Sequence, residues 1–147
     1  MARRPLDRHR GKIMTLRGSC LCRAVQYEAD GLDTPIRHCH CTDCRKSHAA
    51  AFNTSAGVAR SRFRWVSGED KLTSFESSPG KLRRFCSVCG AHIVAEYPDR
   101  PYVILRLATL DDDPGERPAE HIWVSDNVPW LTDSGAVVSH EEWYPGH

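Results

Sequence analysis

Residues 86–90 have the sequence Cys-Ser-Val-Cys-Gly, which is typical of a zinc knuckle. In a knuckle, a tight turn at the end of a strand points both sulfur atoms inward, and the glycine tolerates a positive φ. Far upstream, Cys20 and Cys22 are separated by one residue, so in a regular strand their side chains would lie on one face. Together the two pairs, Cys20 with Cys22 and Cys86 with Cys89, predict a structural zinc site with four cysteine ligands. This site would close a loop of roughly seventy residues and connect the first strand to a central hairpin.

A second cysteine group lies between these pairs and consists of Cys39, Cys41 and Cys44. Structural zinc sites use four protein ligands, whereas catalytic sites use three and leave a fourth position for water or substrate. By strand alternation, His38 and His40 should point away from a metal ion held by these cysteines. We therefore expect an open position on this second zinc. The alternative is a second structural zinc completed by a remote histidine, such as His48, His92 or His121.

Length, composition and charge exclude several classes of protein. The chain has 147 residues, which suits one compact domain. Its seven cysteines cannot all be paired in disulfides within one molecule, which favours metal binding in the cytoplasm. No apolar run approaches the ~20 residues that cross a bilayer, and no export signal is recognisable. The formal net charge of +1 provides no general attraction to nucleic acid, so we expect neither a membrane nor a nucleic acid as partner.

The remaining sequence predicts a mostly β fold with short helical turns. Alternating or apolar segments predict strands over residues 24–29, 52–58, 63–66, 72–75, 81–85, 91–97 and 102–108, separated by turns rich in Gly, Pro and Asp. The spacing between Cys41 and His48 permits a short helix with Thr42 or Asp43 as its N-cap. Residues 1–14 are interpreted as a disordered basic tail or a start-site extension. Residues 15–147 are predicted to form a single zinc-binding domain.

Four motifs give the chain a resemblance to one known family. They are residues 18–22 (GSCLC), 38–46 (HCHCTDCRK), 85–90 (FCSVCG) and 121–125 (HIWVS). From about Leu16 to Tyr144 the chain resembles the glutathione-dependent formaldehyde-activating enzymes, also called the centromere protein V-like domain. The resemblance implies a small β-tent zinc-binding fold, with one zinc structural and the zinc at Cys39, Cys41 and Cys44 of a catalytic type. It also implies the formation of S-(hydroxymethyl)glutathione from glutathione and formaldehyde, the reverse of a carbon-sulfur lyase reaction.

The chemistry of the three-cysteine site favours a small thiol substrate such as glutathione. Zn²⁺ with three thiolates has a net charge of −1, which makes it a weak activator of water but a good partner for one more sulfur. Addition of that sulfur to a small aldehyde needs a proton shuttle, for which His40 and His48 are candidates. Arg45, adjacent to a predicted ligand, is a candidate for binding an anionic thiol. The alternative function is a non-enzymatic zinc module that carries a thiol or binds a protein partner.

Overall fold

A computed structural model describes residues 14–131, 137–143 and 145–146 of the protein. Within these residues the chain is mostly β, with ten strands, one α-helix and short 3₁₀ turns, so the predicted fold class is confirmed. The strands are β1 Leu16–Ser19, β2 Gln26–Ala29, β3 Arg37–Cys39, β4 Asn53–Ala59, β5 Phe63–Ser67, β6 Leu72–Ser78, β7 Lys81–Cys86, β8 His92–Glu96, β9 Tyr102–Arg106 and β10 Glu120–Ile122. The helix is α1 Thr42–His48. The predicted tail lies outside the described residues, except for the exposed Met14.

The strands form two sheets. The smaller sheet has the strand order β1-β2-β5, and the larger has the order β10-β3-β4-β9-β8-β7-β6. All pairs are antiparallel except β10 with β3, which pair in parallel. Because β10 follows β3 by about eighty residues in the chain, this parallel pair needs a long connection, as parallel strands do.

The hydrophobic core lies between the small sheet and one face of the large sheet. Alternation in β9 turns Val103 and Leu105 toward this core, where they are buried with Val58 of β4. From the small sheet, the buried ring of Tyr27 stacks on Phe63 with ring centroids 5.3 Å apart. The opposite face of the large sheet therefore remains available for a functional site, since neighbouring residues of a strand point to opposite faces.

Several local predictions need correction. Cys20 and Cys22 do not lie in a regular strand, because β1 ends at Ser19 and the next residues form a turn in which Arg23 has a positive φ of 66°. The N-cap of α1 is Cys41, and not Thr42 or Asp43: its sulfur accepts a hydrogen bond from the backbone N–H of Cys44 at 3.3 Å. The predicted strand over residues 102–108 ends at Arg106, where a 3₁₀ turn begins.

No helix in the described part of the chain is long and apolar enough to cross a membrane.

Candidate metal centre

The four-cysteine group joins the turn after β1 to the turn between β7 and β8. The sulfur atoms of Cys20, Cys22, Cys86 and Cys89 all lie within 4.8 Å of one another. Cys20 Sγ is 3.6 Å from Cys22 Sγ, which is 3.9 Å from Cys86 Sγ. Four sulfurs bound at about 2.3 Å around one tetrahedral zinc ion would be about 3.8 Å apart. The spacing of these sulfurs therefore fits a closed zinc site.

Local backbone geometry explains why these sulfurs converge. Val25 donates its N–H to Cys20 Sγ at 3.3 Å, and Val88 donates its N–H to Cys86 Sγ at 3.4 Å. Gly90 has the positive φ (79°) expected of a knuckle glycine, and its N–H bonds the carbonyl of Cys86 at 2.8 Å. Such N–H donors favour the thiolate form of cysteine, which is the form that binds a metal ion.

The second cysteine group lies where β3 ends and α1 begins. Cys39 is the last residue of β3, Cys41 is the N-cap of the helix, and Cys44 lies in the first helical turn. Their three sulfurs lie within 4.8 Å of one another, and no histidine or carboxylate of the described residues joins them. The predicted alternative of a remote histidine at this site therefore finds no support among His48, His92 and His121. Three soft sulfur donors without a fourth protein ligand could hold zinc with an open position.

The edge strand β10 covers one side of this group. Ile122 pairs with Cys39, and its carbonyl accepts the N–H of His40 at 3.0 Å. Cys39 also pairs with Asn53 on the other side, in β4. The cysteine at the end of β3 is thus held between two strands, which fixes its sulfur relative to the helix.

A cavity of about 750 Å³ opens in front of the three sulfurs. Its floor is the face of the large sheet that points away from the core. Nearest Cys39 is a row of three paired residues on adjacent strands: Arg37, Ser55 and Arg106. Beyond this row the floor is less polar, with Gly57 paired with Ile104 and Ala59 paired with Tyr102. Trp123 and Lys81 contribute to the walls.

Two buried arginines surround the three cysteines. Arg83, only 1% exposed, has both terminal nitrogens 3.9 Å from Cys44 Sγ, and it also donates to the hydroxyls of Ser47 and Ser77. Arg106 is 4% exposed, and burial lowers its pKa to about 10, so it remains a cation at neutral pH. Buried cations are costly unless anions lie nearby, and the cysteine thiolates are the anions available here.

These charges also act on the cysteines. A hydrogen bond from Cys39, together with the positive charges of Arg106 and Arg83, lowers the pKa of Cys44 to about 5 despite its burial. The thiolate of Cys44 is therefore favoured at neutral pH before any metal binds. A preformed thiolate is a better zinc ligand than a thiol because it need not release a proton.

The structure places His40 behind the three cysteines. Its ring lines a separate cavity of about 420 Å³ with His38, Phe52 and His121. There Nδ1 donates to Asn127 Oδ1 at 3.0 Å, and Nε2 lies 2.8 Å from His121 Nδ1. His40 points away from the sulfurs, as strand alternation predicts, and does not line the cavity in front of them.

The other two predicted catalytic residues also lie outside the cysteine cavity. His48, at the end of α1, packs against His92 with ring centroids 4.8 Å apart. Arg45 turns back along the helix and donates to the carbonyl of His40 and the hydroxyl of Thr42, both at 3.3 Å. Neither side chain is among those that line the cavity.

Sequence reasoning did not identify the cations that do line the cavity: Arg37, Lys81 and Arg106. One of them could have been found, because Arg37 is two residues before Cys39 and shares its face of the strand. Arg106 could not, since only the register of β9 on β4 brings it opposite Ser55.

Comparisons with known proteins agree with this geometry. The family model of the glutathione-dependent formaldehyde-activating enzymes matches residues 15–126. The crystal structure of a Rhodobacter sphaeroides protein, a structural genomics target, is similar with 27% sequence identity and a TM-score of 0.57. The match covers 69% of this chain and 97% of the other. No curated protein is significantly similar to the chain. The family match spans all seven cysteines, and the protein belongs to the family of glutathione-dependent formaldehyde-activating enzymes.

Proposed function

We propose that the protein is a zinc-dependent carbon-sulfur lyase that acts on a thiol-aldehyde adduct, of the S-(hydroxymethyl)glutathione synthase type. The observation that carries this proposal is the position of Cys39, Cys41 and Cys44. Their sulfurs converge at one end of the cavity of about 750 Å³, and no fourth ligand comes from the described residues. The family supports the same type of activity.

In this proposal the two cysteine groups have different roles. The four-cysteine group holds a structural zinc, because four ligands close the coordination shell. Zinc bound by the other three cysteines would lower the pKa of an incoming thiol and keep it as a thiolate at neutral pH. The sulfur donor set fits such an ion, and the buried cations Arg83 and Arg106 offset the surplus negative charge of the thiolates.

The cavity lining supports an anionic thiol such as glutathione as the substrate. Arg37 and Lys81 line the cavity and remain partly exposed, which suits the capture of carboxylates from solvent. The less polar floor around Ile104 and Tyr102 provides an apolar surface against which the adduct can pack. A cavity of this size lies within the range of known small-molecule sites, about 300–1,000 Å³.

The three residues predicted for catalysis have supporting roles in this proposal. Arg45 donates to the carbonyl of His40, and the ring of His40 is fixed by Asn127 and His121. These contacts hold the segment that carries Cys39 and Cys41. His48 lies against His92 behind the helix, where it supports the position of α1.

The proposal places the protein in a reducing compartment such as the cytoplasm. All seven cysteines are free thiols in the structure. Oxidation of neighbouring thiols to disulfides would remove the zinc ligands, and cytoplasmic conditions prevent that oxidation.

Exchange spectroscopy by NMR tests the activity directly. Glutathione and formaldehyde form their adduct spontaneously, so the measured quantity is the rate at which adduct and free components interconvert with and without the zinc-loaded protein. We expect a clear acceleration at micromolar protein. Cys41→Ser is the matched control, because serine keeps the helix N-cap but removes one sulfur ligand.

The same experiment distinguishes the proposed enzyme from the alternative function, a non-enzymatic zinc module that carries a thiol. If glutathione binds to the protein but the interconversion is not accelerated, the protein is a thiol carrier and the enzyme proposal is wrong. If Cys41→Ser accelerates the interconversion as well as the natural protein does, the three-cysteine group is not the reaction centre.

A further inference from the structure

Arg106 has buried hydrogen-bond donors without any partner. Its Nε and Nη2 atoms are inaccessible to solvent and bond to no other described group, although its side chain lines the cavity in front of the cysteines. Buried polar groups are almost always hydrogen-bonded, and an exception requires an explanation such as a missing ligand. Leaving two donors of a buried cation unpaired is especially unfavourable.

The other arginines near the cysteines do have partners. Arg83 donates to Ser47, Ser77 and the sulfur of Cys44. Arg37 donates from Nε to a carboxylate oxygen of Glu120 at 2.7 Å. Arg106 therefore differs from both, because two of its donors have no partner although its side chain lines the cavity.

The position of Arg106 relative to the sulfurs is fixed by the sheet. Arg106 pairs with Ser55, which pairs with Arg37 on its other side, and Cys39 lies two residues after Arg37 on the same face. Its side chain lines the same cavity as Cys39, Cys41 and Cys44, yet its Nε and Nη2 atoms donate to none of the three sulfurs. Arg106 and the three sulfurs thus share one cavity, and two donors of the guanidinium remain unpaired there.

We propose that Arg106 is a catalytic residue that stabilises the oxygen anion formed when the sulfur of the thiol substrate adds to the aldehyde carbon. This inference rests on the proposed function. In the addition step a carbon–sulfur bond forms, and the π electron pair of the carbonyl group moves to its oxygen. That oxygen then takes up a proton, which balances the proton lost by the thiol, so the net reaction is thiol plus aldehyde giving the hydroxyalkyl thioether. The reverse step cleaves the same bond.

The geometry favours the reacting oxygen over a carboxylate of the thiol as the group that Arg106 contacts. In the adduct the oxygen is only two bonds from the sulfur, so it must lie close to the three cysteines. Arg106 is the deeply buried cation on that part of the floor, whereas Arg37 and Lys81 are partly exposed and can bind carboxylates at the cavity mouth. A donor that is fixed before the reaction stabilises developing charge without reorganisation.

The test compares Arg106→Gln and Arg106→Lys with the natural protein at equal zinc content. Interconversion rates by NMR are measured with formaldehyde and two thiols: glutathione, which has carboxylates, and 2-mercaptoethanol, which has none. Titration calorimetry without aldehyde gives the dissociation constant of glutathione. Arg106→Lys retains a buried cation on a flexible side chain. It can therefore be measured even if the neutral variant Arg106→Gln does not fold. Arg37→Gln is the comparison variant at the cavity mouth.

We expect both Arg106 variants to lower the maximal rate about 10²-fold with both thiols, as loss of an oxyanion donor does in other enzymes. The dissociation constant of glutathione should not change, whereas Arg37→Gln should weaken glutathione binding. If the rate loss occurs with glutathione only and binding weakens, Arg106 holds a carboxylate and the inference is wrong. Unchanged rates in both variants would also overturn it. If the natural protein itself gives no acceleration, the proposed function fails, and the role of Arg106 fails with it.

Discussion

Gly18 shows how one residue adapts the small sheet to an aromatic core. It pairs with Tyr27 across β1 and β2, and a Cβ atom built on Gly18 would lie only 2.1 Å from the Tyr27 ring. The ring cannot move away easily, because it stacks on Phe63 and its hydroxyl bonds Thr109 Oγ1 at 2.7 Å.

Gly18→Ala should therefore destabilise the protein. Inserting a methyl group into a packed core costs about 1–3 kcal/mol, because side chains or backbone must shift. The midpoint of urea unfolding at constant zinc should fall accordingly. A midpoint equal to that of the natural protein would show that Tyr27 does not pack against β1.

His48 makes stability dependent on pH. Burial, helped by the positive charges of Arg106 and Arg83 and by His92, lowers the pKa of His48 from 6.5 to about 3. The unfolded chain therefore binds a proton at this residue below about pH 6.5 when the folded protein does not. By linkage, the stability contributed by neutral His48 is present above pH 6.5 and is lost as the pH falls toward 3.

His48→Gln should make the loss of unfolding free energy between pH 6.5 and 5 shallower than in the natural protein. Denaturant unfolding at a series of pH values measures this slope. His140→Gln is the matched control, since His140 is exposed. Equal slopes for the natural protein and His48→Gln would contradict the burial of a neutral imidazole.

At the scale of single elements, α1 joins the cysteine group to the rest of the large sheet. It spans Thr42–His48 with Cys41 as its N-cap, and its C-cap Ala49 adopts a left-handed conformation (φ 49°, ψ 44°). Alanine is disfavoured in that region, where glycine is the usual residue at the end of a helix.

Ala49→Gly should stabilise the protein by about 0.5–1 kcal/mol. This gain is the backbone strain that glycine relieves, reduced by the greater conformational entropy of glycine in the unfolded chain. Ala50→Gly is the matched control, because Ala50 is also exposed but has no positive φ. That control should lose about 0.5 kcal/mol. Thermal unfolding of the two variants measures the difference, and a loss in Ala49→Gly would contradict the left-handed cap.

Most strands were predictable from the sequence, whereas β3 and β10 were not. The segments around β4, β6, β7, β8 and β9 have apolar alternation and turn residues at their ends, which are local signals. By contrast, β3 and β10 have three residues each, and each depends on pairing with residues far away in the chain. No local pattern encodes such a pairing, because it is stabilised only when the fold is complete.

The candidate site also contains residues that were predictable from the sequence and residues that were not. The convergence of the cysteines could be predicted from their spacing. Cys39, Cys41 and Cys44 lie within six residues of one another, and the other four cysteines form two short metal-binding motifs. The cations that line the cavity could not be predicted from ligand spacing, because Arg106 reaches the cavity only through the register of β9 on β4. The sequence neighbour Arg45 instead folds back onto the carbonyl of His40.

At the scale of the whole molecule, the two faces of the large sheet have different surroundings. One face packs on the small sheet and forms the core, and the other carries the row from Arg37 to Arg106 beside the cysteine cavity. The four-cysteine group joins the start of the small sheet to the β7–β8 turn of the large sheet, so it holds the two layers together.

Loss of the two proposed zinc sites should therefore have unequal effects. Cys86→Ser should unfold the protein, because a structural zinc site contributes roughly 10–16 kcal/mol, comparable with the stability of a whole domain. Cys41→Ser should stay folded, since serine is a good N-cap and the other contacts of α1 remain. Circular dichroism and zinc content measure both effects: about two zinc ions per natural chain and one in Cys41→Ser. Equal collapse of the two variants would show that both sites are structural.

The separation of the ligands along the chain also bears on how the protein is made. Cys39, Cys41 and Cys44 leave the ribosome almost together, whereas Cys20 and Cys22 must wait for Cys86 and Cys89. A short loop closes at a smaller entropic cost than a long one, so in the proposed zinc protein the nascent chain would bind its first ion at the three-cysteine group. Under the same proposal, a zinc ion at the four-cysteine group would bind only after Cys86 and Cys89 have been synthesised.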